Sequence, residues 1–421
     1  MKKLVFAVAG YNFAETGRMI EIAREAREDF DVVFASYGGR YEPLIEGEGF
    51  DLLRLEPRLT SDRLARLRDI LSGEAANTVG YLRRNDLEAR VPNELDLFRD
   101  LDPAAVLTGW CLSVALSARA AGVPFVNVLH STTIREYYEA GLQSWPDRSD
   151  FPFVRWLFGG DEARMRRWMS RLVLRLKLPV RPYNAVARAY HLPEFRSFID
   201  LIEGDETLLA DIPEWVGFDR VRPTVHFIGP LPFRLDAAVP PAVTSLPRDR
   251  PVVYFAMGSS GKPKLIADLL EAFGSRPWRV IAPVRPHVER MNLDVPNNVI
   301  VTDFLPAHRV NPMADVSVIH GGQNTVMNAC LAGTPIVGIG MHPEQQANLD
   351  ACARKGFAIR LSKRKTTSEA VLQAVDTILG DERAKAAVET FRDQLEAWDG
   401  PKNAAAFLRQ RYGGPPAFRA R

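Results

Sequence analysis

Short apolar runs alternate with stretches of helical spacing along most of this chain, and that alternation predicts its architecture. Residues 4–10 form an apolar, β-branched run ending in glycine, and helical spacing follows through Met19, Ile20, Ala23 and Ala26. Residues 31–36, 105–110 and 125–129 are further short apolar strands. A helix over residues 111–121 joins the last two and stops at Gly122, with Pro124 beyond it. Strand, helix, strand in this rhythm predicts a parallel sheet covered by helices on both faces. Residues 61–100 are charged and read as a helical excursion on the surface. Residues 131–200 are less regular, with Trp145, Trp156 and Trp168 among many arginines, and residues 224–228 close this half as a strand.

The rhythm restarts after a proline- and alanine-rich stretch at 237–247, which predicts an interdomain linker. Residues 252–257, 279–283, 299–302, 316–319 and 336–339 read as strands, with a helix over 264–273 and others between the later strands. The final segment, from about residue 368 to 411, is helical and would pack on its own half or cross back to the first. The expected division is a first α/β domain over residues 1–232, a linker over 233–249 and a second α/β domain over 250–421.

Composition narrows the class without changing this outline. A chain of 421 residues is too long for one ordinary core, and 46% hydrophobic with 25% charged residues is usual for a globular protein. A formal net charge of +2 gives no electrostatic case for a nucleic-acid partner. The start, Met1-Lys2-Lys3 and an apolar run, has its hydrophobic stretch broken by Gly10, Asn12 and Glu15, so it reads as a first strand rather than a signal peptide. No stretch approaches the roughly 18 apolar residues of a membrane span, and a cytoplasmic location is expected. Cys111, Cys330 and Cys352 lack metal-ligand or disulfide spacing and are expected to be buried thiols.

The most informative residues run from Ala314 to Thr325, Ala-Asp-Val-Ser-Val-Ile-His-Gly-Gly-Gln-Asn-Thr. A strand ends at His320, and Gly321 and Gly322 let the backbone turn into a helix from about Gln323 to Leu331. Backbone N–H groups and the positive end of a helix dipole thus face the carboxyl edge of a parallel sheet, where such sheets bind phosphorylated ligands. His320, Asn324 and Thr325 can add side-chain donors to phosphate oxygens.

This turn, followed by Ala332-Gly333-Thr334-Pro335 and by Pro343-Glu344-Gln345-Gln346-Ala347-Asn348, resembles the donor-site signature of family 1 glycosyltransferases of the GT-B fold. The resemblance is firm over about residues 250–362 and looser over the first 130. It implies two Rossmann-like domains whose parallel sheets face a central cleft, the first binding the acceptor and the second a nucleoside diphosphate sugar. By the same resemblance His320, Gly321, Gly322, Asn324 and Thr325 would contact the donor diphosphate, with Ser259 and Ser260 approaching from the facing loop. Glu344 and Gln345 would bind hydroxyls of the transferred sugar; a carboxylate beside a carboxamide can accept from and donate to a vicinal diol. Glu344 is equally a first-turn helix residue favoured by the dipole. Phe304 falls where an aromatic ring would meet the nucleobase, although an isolated phenylalanine also fits a core. Asn328 stands where plant members carry a ribose-binding glutamate, and Ala307 where they often carry glutamine.

Inverting transfer to a hydroxyl also needs a base from the first domain. Related sequences have Gly-His-x-x-Pro near its first helix, and here Glu15 takes the histidine position and Arg18 the proline position. Glu15 is one candidate base, or else a helix N-terminal residue; His130, at a strand end before Ser131-Thr132-Thr133, is the other, or else structural. No Asp-x-Asp pair suggests a divalent metal, so activity without metal or cofactor is expected, with a UDP- or dTDP-sugar as co-substrate and a hydrophobic, hydroxyl-bearing acceptor. Residues 151–181 combine aromatics with arginines, which fits either a solvated basic face or peripheral contact with an anionic membrane. Two other readings share the scaffold: a nucleotide-sugar epimerase or hydrolase, and an inactive helper that binds a partner enzyme.

Overall fold

The computed structural model describes residues 1–71, 82–143, 156–218, 220–257, 263–363 and 366–414. Its first half is a seven-stranded sheet of β1 (Lys3–Val8), β2 (Asp31–Ser36), β3 (Asp51–Arg54), β4 (Ala105–Thr108), β5 (Phe125–Leu129), β6 (Glu206–Leu209) and β7 (Val225–Phe227). The second half is a six-stranded sheet of β8 (Val252–Ala256), β9 (Arg279–Ala282), β10 (Val299–Val301), β11 (Val316–Ile319), β12 (Ile336–Ile339) and β13 (Ala358–Leu361). Every pairing is parallel, in the orders β3-β2-β1-β4-β5-β6-β7 and β10-β9-β8-β11-β12-β13. Each order reverses once, between β1 and β4 and between β8 and β11. Those are the crevices where doubly wound sheets bind ligands, at the carboxyl ends of the strands.

Central strands buried on both faces read as continuous apolar runs, which is why β1, β2, β8 and β11 were legible. β6 was not, because Glu206 and Thr207 interrupt its pattern. Burial of Glu206 is compensated by His226 at 2.8 Å on β7 and by Arg411 at 3.0 Å, almost at the chain's end. The expected surface excursion at 61–100 is corrected. Its second helix, Arg84–Leu101, buries Leu87, Val91 and Phe98, and its buried Glu94 accepts hydrogen bonds from Tyr37, Ser113 and Ser117 at 2.9, 2.6 and 2.5 Å.

Five helices position the site: α1 (Phe13–Ala26), α2 (Glu162–Val173), α3 (Gln323–Leu331), α4 (Pro343–Arg354) and α5 (Gly400–Tyr412). Helix α5 crosses back and packs along α1, burying Ala404, Ala405 and Leu408 with the first sheet's core. Asn403 donates to the Ile228 carbonyl at 2.9 Å, and Lys2 to the Tyr412 carbonyl at 3.0 Å. Trp215 of the first half stacks on Phe391 of the second, ring centroids 5.7 Å apart. The segment between the sheets lays Phe233 against Phe13 of α1, at 5.5 Å, and donates its N–H to the Asn324 side chain at 3.3 Å. Cys111, Cys330 and Cys352 are buried free thiols. Among the described residues, no helix is long and apolar enough to cross a membrane.

Candidate active site

The second half's wall of the cleft is built by the turn after β11. Gly321 has φ = 85°, and a Cβ there would lie 2.6 Å from the Leu349 side chain and 2.7 Å from the Gln345 carbonyl. A Cβ on Gly322 would lie 2.6 Å from His320 Nε2, so the imidazole covers this glycine. Gly322 is the N-cap of α3 and has no side chain to cap with. The first turn of α3 therefore opens toward the cleft as an anion site.

His320 Nδ1 faces the Ala256 carbonyl oxygen at 3.4 Å. A carbonyl only accepts, so the proton of the neutral ring sits on Nδ1, and Nε2 presents a lone pair over the glycines. Burial pushes the imidazole down to about 4. The sequence reading had His320 as a ready donor to phosphate; as folded, it donates from Nε2 only after taking up a second proton.

Helix α4 supplies Glu344 and Asn348. Asn348 Nδ2 donates both to the Gly321 carbonyl at 3.0 Å and to Glu344 Oε1 at 2.6 Å, tying the carboxylate to the glycine turn. Burial raises Glu344 to about 7, with Asn348, Arg18 and the Gln323 N–H pulling it down and Asp211 pushing it up. Glu344 therefore lies beside the start of α3 and within electrostatic reach of two side chains from the first half.

Those two belong to a cluster at the carboxyl ends of β5 and β6. Arg18, on α1, places Nη1 3.1 Å from His130 Nδ1 and also contacts Nε2. Burial, then the Arg18 charge, hold His130 well below the usual histidine range. Asp211 accepts from the N–H and the hydroxyl of Ser131, each at 2.6 Å, and from the Gln323 side chain across the cleft. Burial raises Asp211 to about 6, against the Ser131, Arg18 and Gln323 contacts. Arg18, His130, Gln323 and Asn324 line one small cavity between the halves.

A second cavity, narrow and partly open to solvent, lies at the carboxyl ends of β1 and β4. Tyr11, Tyr37, Leu59, Leu67, Leu82 and Trp110 are among the residues lining it. Glu15 sits behind its wall, fully buried. Its Oε2 accepts from the Ala9 N–H at 2.9 Å, and its Oε1 from the N–H groups of Gly109 and Trp110 at 3.1 and 3.3 Å. One carboxylate thus clamps the two loops that flank the first sheet's crevice.

Residues 269–410 match the family described as Erythromycin biosynthesis protein CIII-like, C-terminal domain. The PGL/p-HBAD biosynthesis glycosyltransferase of Mycobacterium tuberculosis (strain ATCC 25177 / H37Ra) is 29% identical over 306 residues, covering 71% of this chain and 68% of that protein. The PGL/p-HBAD biosynthesis rhamnosyltransferase of Mycobacterium bovis (strain BCG / Pasteur 1173P2) is 29% identical over 336 residues, covering 78% and 69%. The crystal structure of the glycosyltransferase VinC in complex with dTDP superposes with a TM-score of 0.69, at 18% identity, over 97% of this chain and 99% of that one. The chain is a glycosyltransferase of the GT-B fold.

The glycosyltransferase places the residues singled out from its sequence unevenly. His320, Gly321, Gly322, Thr325 and Glu344 gather at the α3 turn, while Ser259 and Ser260 lie outside the described residues. Asn324 turns its side-chain oxygen to the Phe233 N–H. Gln345 is buried, and its carbonyl oxygen accepts from the Met341 N–H at 2.9 Å, so it braces the turn before α4 and does not present that oxygen to a sugar. Asn328 is buried and donates to the Asn324 carbonyl at 2.7 Å, within its own helix rather than toward a ribose. Phe304 is 60% exposed and meets Phe13 edge-on at 5.0 Å, at the mouth between the halves and not in a core. Glu15, read as a candidate base, is engaged on three backbone N–H groups and sealed from solvent, whereas His130 reaches the cleft.

Sequence reasoning missed the roles of Arg18, Asp211, Gln323 and Asn348. Gln323 and Asn348 stood inside the quoted motif, one directly before Asn324 and the other one helical turn after Glu344. Asp211 follows a strand that went unrecognised. Arg18 was noticed only as a departure from a proline.

Proposed function

We propose that this glycosyltransferase moves a hexose from a UDP- or dTDP-sugar to a hydroxyl of a hydrophobic small molecule or lipid, with inversion at the anomeric carbon. The observation that carries the donor half is the start of α3, where Gly322 brings no capping side chain, roofed by His320 and flanked by Glu344. The dTDP bound in VinC supports a nucleoside diphosphate as ligand. The rhamnosyltransferase relative of Mycobacterium bovis supports a sugar of the rhamnose kind, and the aromatic and aliphatic cavity beside β1 and β4 supports a hydrophobic acceptor.

In this reading His130 is the base. It is neutral at pH 7 and stands at the cleft edge of the first half. It takes the acceptor's hydroxyl proton as the acceptor oxygen bonds to the anomeric carbon, and the bond from that carbon to the β-phosphate oxygen breaks. Attack opposite the leaving group inverts the centre. The departing diphosphate is stabilised by the α3 N-terminus, by protonated His320 and by Arg18, all groups fixed before the reaction. Glu344 orients the sugar through its hydroxyls. These cations meet the charge on the diphosphate, so turnover is expected to persist in EDTA.

Calorimetric titration with UDP, dTDP and GDP in EDTA tests the donor site and carries a pH signature. The free His320 ring titrates near 4 and is neutral at pH 7, whereas a phosphate at Nε2 favours the imidazolium. The complex then holds a proton that the free protein lacks. Binding takes up a proton at pH 7, and affinity rises as pH falls, until both states are protonated below about 4. The observed enthalpy should differ between Tris and PIPES by an amount that His320→Ala reduces, Glu344 near 7 supplying the remainder. Absence of binding to all three nucleotides would remove the donor site; binding without a buffer dependence would remove His320 from it.

A further inference from the structure

We propose that the outer face of α2 and its flanking turns dock this enzyme on an anionic membrane surface. Helix α2 starts at Asp161, whose carboxylate accepts from the Arg164 N–H at 2.9 Å. Its inner side buries Met165 and Ser170, and Gln143 holds it there through the Arg166 carbonyl at 2.7 Å. The opposite side is exposed. Trp168 and Leu172, one turn apart, form an apolar ridge with Arg164, Arg167, Arg171 and Arg175 around it.

Trp156 and Leu157 just before the helix and Leu176 and Leu178 just after it are exposed as well. Six of the nine large hydrophobic side chains exposed among the described residues fall in this segment, with Trp156 at 73% and Trp168 at 44% exposure. Single exposed apolar residues are ordinary, but a contiguous set marks a binding surface. From Trp156 to Leu178 there are six basic side chains and two acidic ones, in a chain whose net charge is only +2. Arg166 pairs with Glu162 at 3.8 Å and Lys177 with Glu194 at 3.6 Å. Arg164, Arg167, Arg171 and Arg175 form no ion pair with a described residue.

This chemistry selects a lipid surface. Tryptophan settles at the boundary between headgroups and acyl chains, leucine reaches below it, and arginines between them meet lipid phosphates. Such a surface is recognised by charge and depth and needs no shaped partner. The inner side of α2 packs on the helix Arg135–Glu139, whose Tyr138 phenol is raised by burial and, after that, by the charge of Glu344 within electrostatic reach. The surface is therefore one helix layer from the donor site, and a hydrophobic acceptor held in the bilayer would enter the cleft beside His130. Only that last step rests on the proposed function; docking itself does not.

The test is sedimentation of the full chain with vesicles of phosphatidylglycerol and phosphatidylcholine, and with phosphatidylcholine alone, at low and high salt. The expected result is binding to the anionic vesicles only, lost at high salt. Partition should fall about thirtyfold or more in Arg167→Glu/Arg171→Glu, at roughly a fivefold step per arginine charge lost. A comparable fall is expected in Trp156→Ser/Trp168→Ser. These positions are exposed, so both variants should keep the wild-type thermal transition and the wild-type rate with a water-soluble acceptor. No sedimentation with anionic vesicles at low salt would overturn the proposal, as would equal binding to both lipids or binding unchanged in both variants. Transfer to a soluble acceptor without vesicle binding would defeat the docking surface alone, and vesicle binding without any transfer would defeat the proposed function alone.

Discussion

Replacing His130 by alanine is expected to lower kcat by about 10²–10⁴-fold, the usual contribution of a positioned general base, with nucleotide affinity unchanged. The reason is its place at the carboxyl end of β5, on the cleft side, with a guanidinium holding its ring and its basic form dominant at neutral pH. Because burial and Arg18 push the imidazole well below its ordinary value, the base form persists as pH falls. The rate should therefore stay level through the pH range where an ordinary histidine would protonate, and fall only below it. Initial rates across pH with saturating donor give both numbers. A kcat within a few-fold of wild type in His130→Ala would take the proton transfer away from this residue.

The second large effect concerns Glu15 and is one of stability rather than chemistry. Glu15→Ala removes the acceptor of the Ala9, Gly109 and Trp110 N–H groups. Leaving a buried donor unpaired costs about 1–3 kcal/mol, so the loss for the set is expected to reach several kcal/mol. Glu15→Gln keeps one acceptor oxygen but turns an NH₂ toward backbone N–H groups, so it should be destabilised less. Denaturant midpoints measure the order: wild type above Gln, Gln above Ala. For the folded fraction of Glu15→Gln, kcat should drop far less than in His130→Ala. The acceptor KM should rise, because Ala9 and Trp110 line the cavity that Glu15 braces. A variant with wild-type stability and a collapsed kcat would restore Glu15 as the base.

The donor turn was legible in the sequence because it is local. A strand, two glycines and a helix follow one another from Val316 to Leu331, and each residue's backbone requirement is set by its neighbours. The alternation of apolar strands and helices likewise gave two parallel sheets, since a strand buried on both faces leaves a continuous apolar run. What stayed hidden is non-local. Asp211 meets Gln323 only when the halves close on each other, and Arg18 meets His130 only when α1 lies across the end of β5. Neighbouring residues in the motif also diverged. Glu344 faces the cleft, whereas Gln345, one position and about 100° further round α4, turns inward to the Met341 N–H. A motif names the segment; the helix phase decides which of its side chains meet the ligand.

The hidden residues also explain the departure at the start of the chain. With glutamate in place of the expected histidine, the β1 and β4 loops are held by a carboxylate, and a histidine from β5 with an arginine from α1 stands at the cleft instead. The two first-half candidates for the base thus separate into a brace and a reactive group.

Mass-spectrometric detection of products separates transfer from its alternatives when the enzyme, in EDTA, is offered UDP- and dTDP-hexoses with a panel of hydrophobic phenols and alcohols. The account predicts an acceptor heavier by one hexosyl unit, formed together with the free nucleoside diphosphate, with the anomeric configuration inverted. Free sugar or an epimerised donor without acceptor product would contradict it in favour of a hydrolase or epimerase. A donor that stays intact with every acceptor, although nucleotide binds, would mean that the cleft holds its ligand without catalysing transfer.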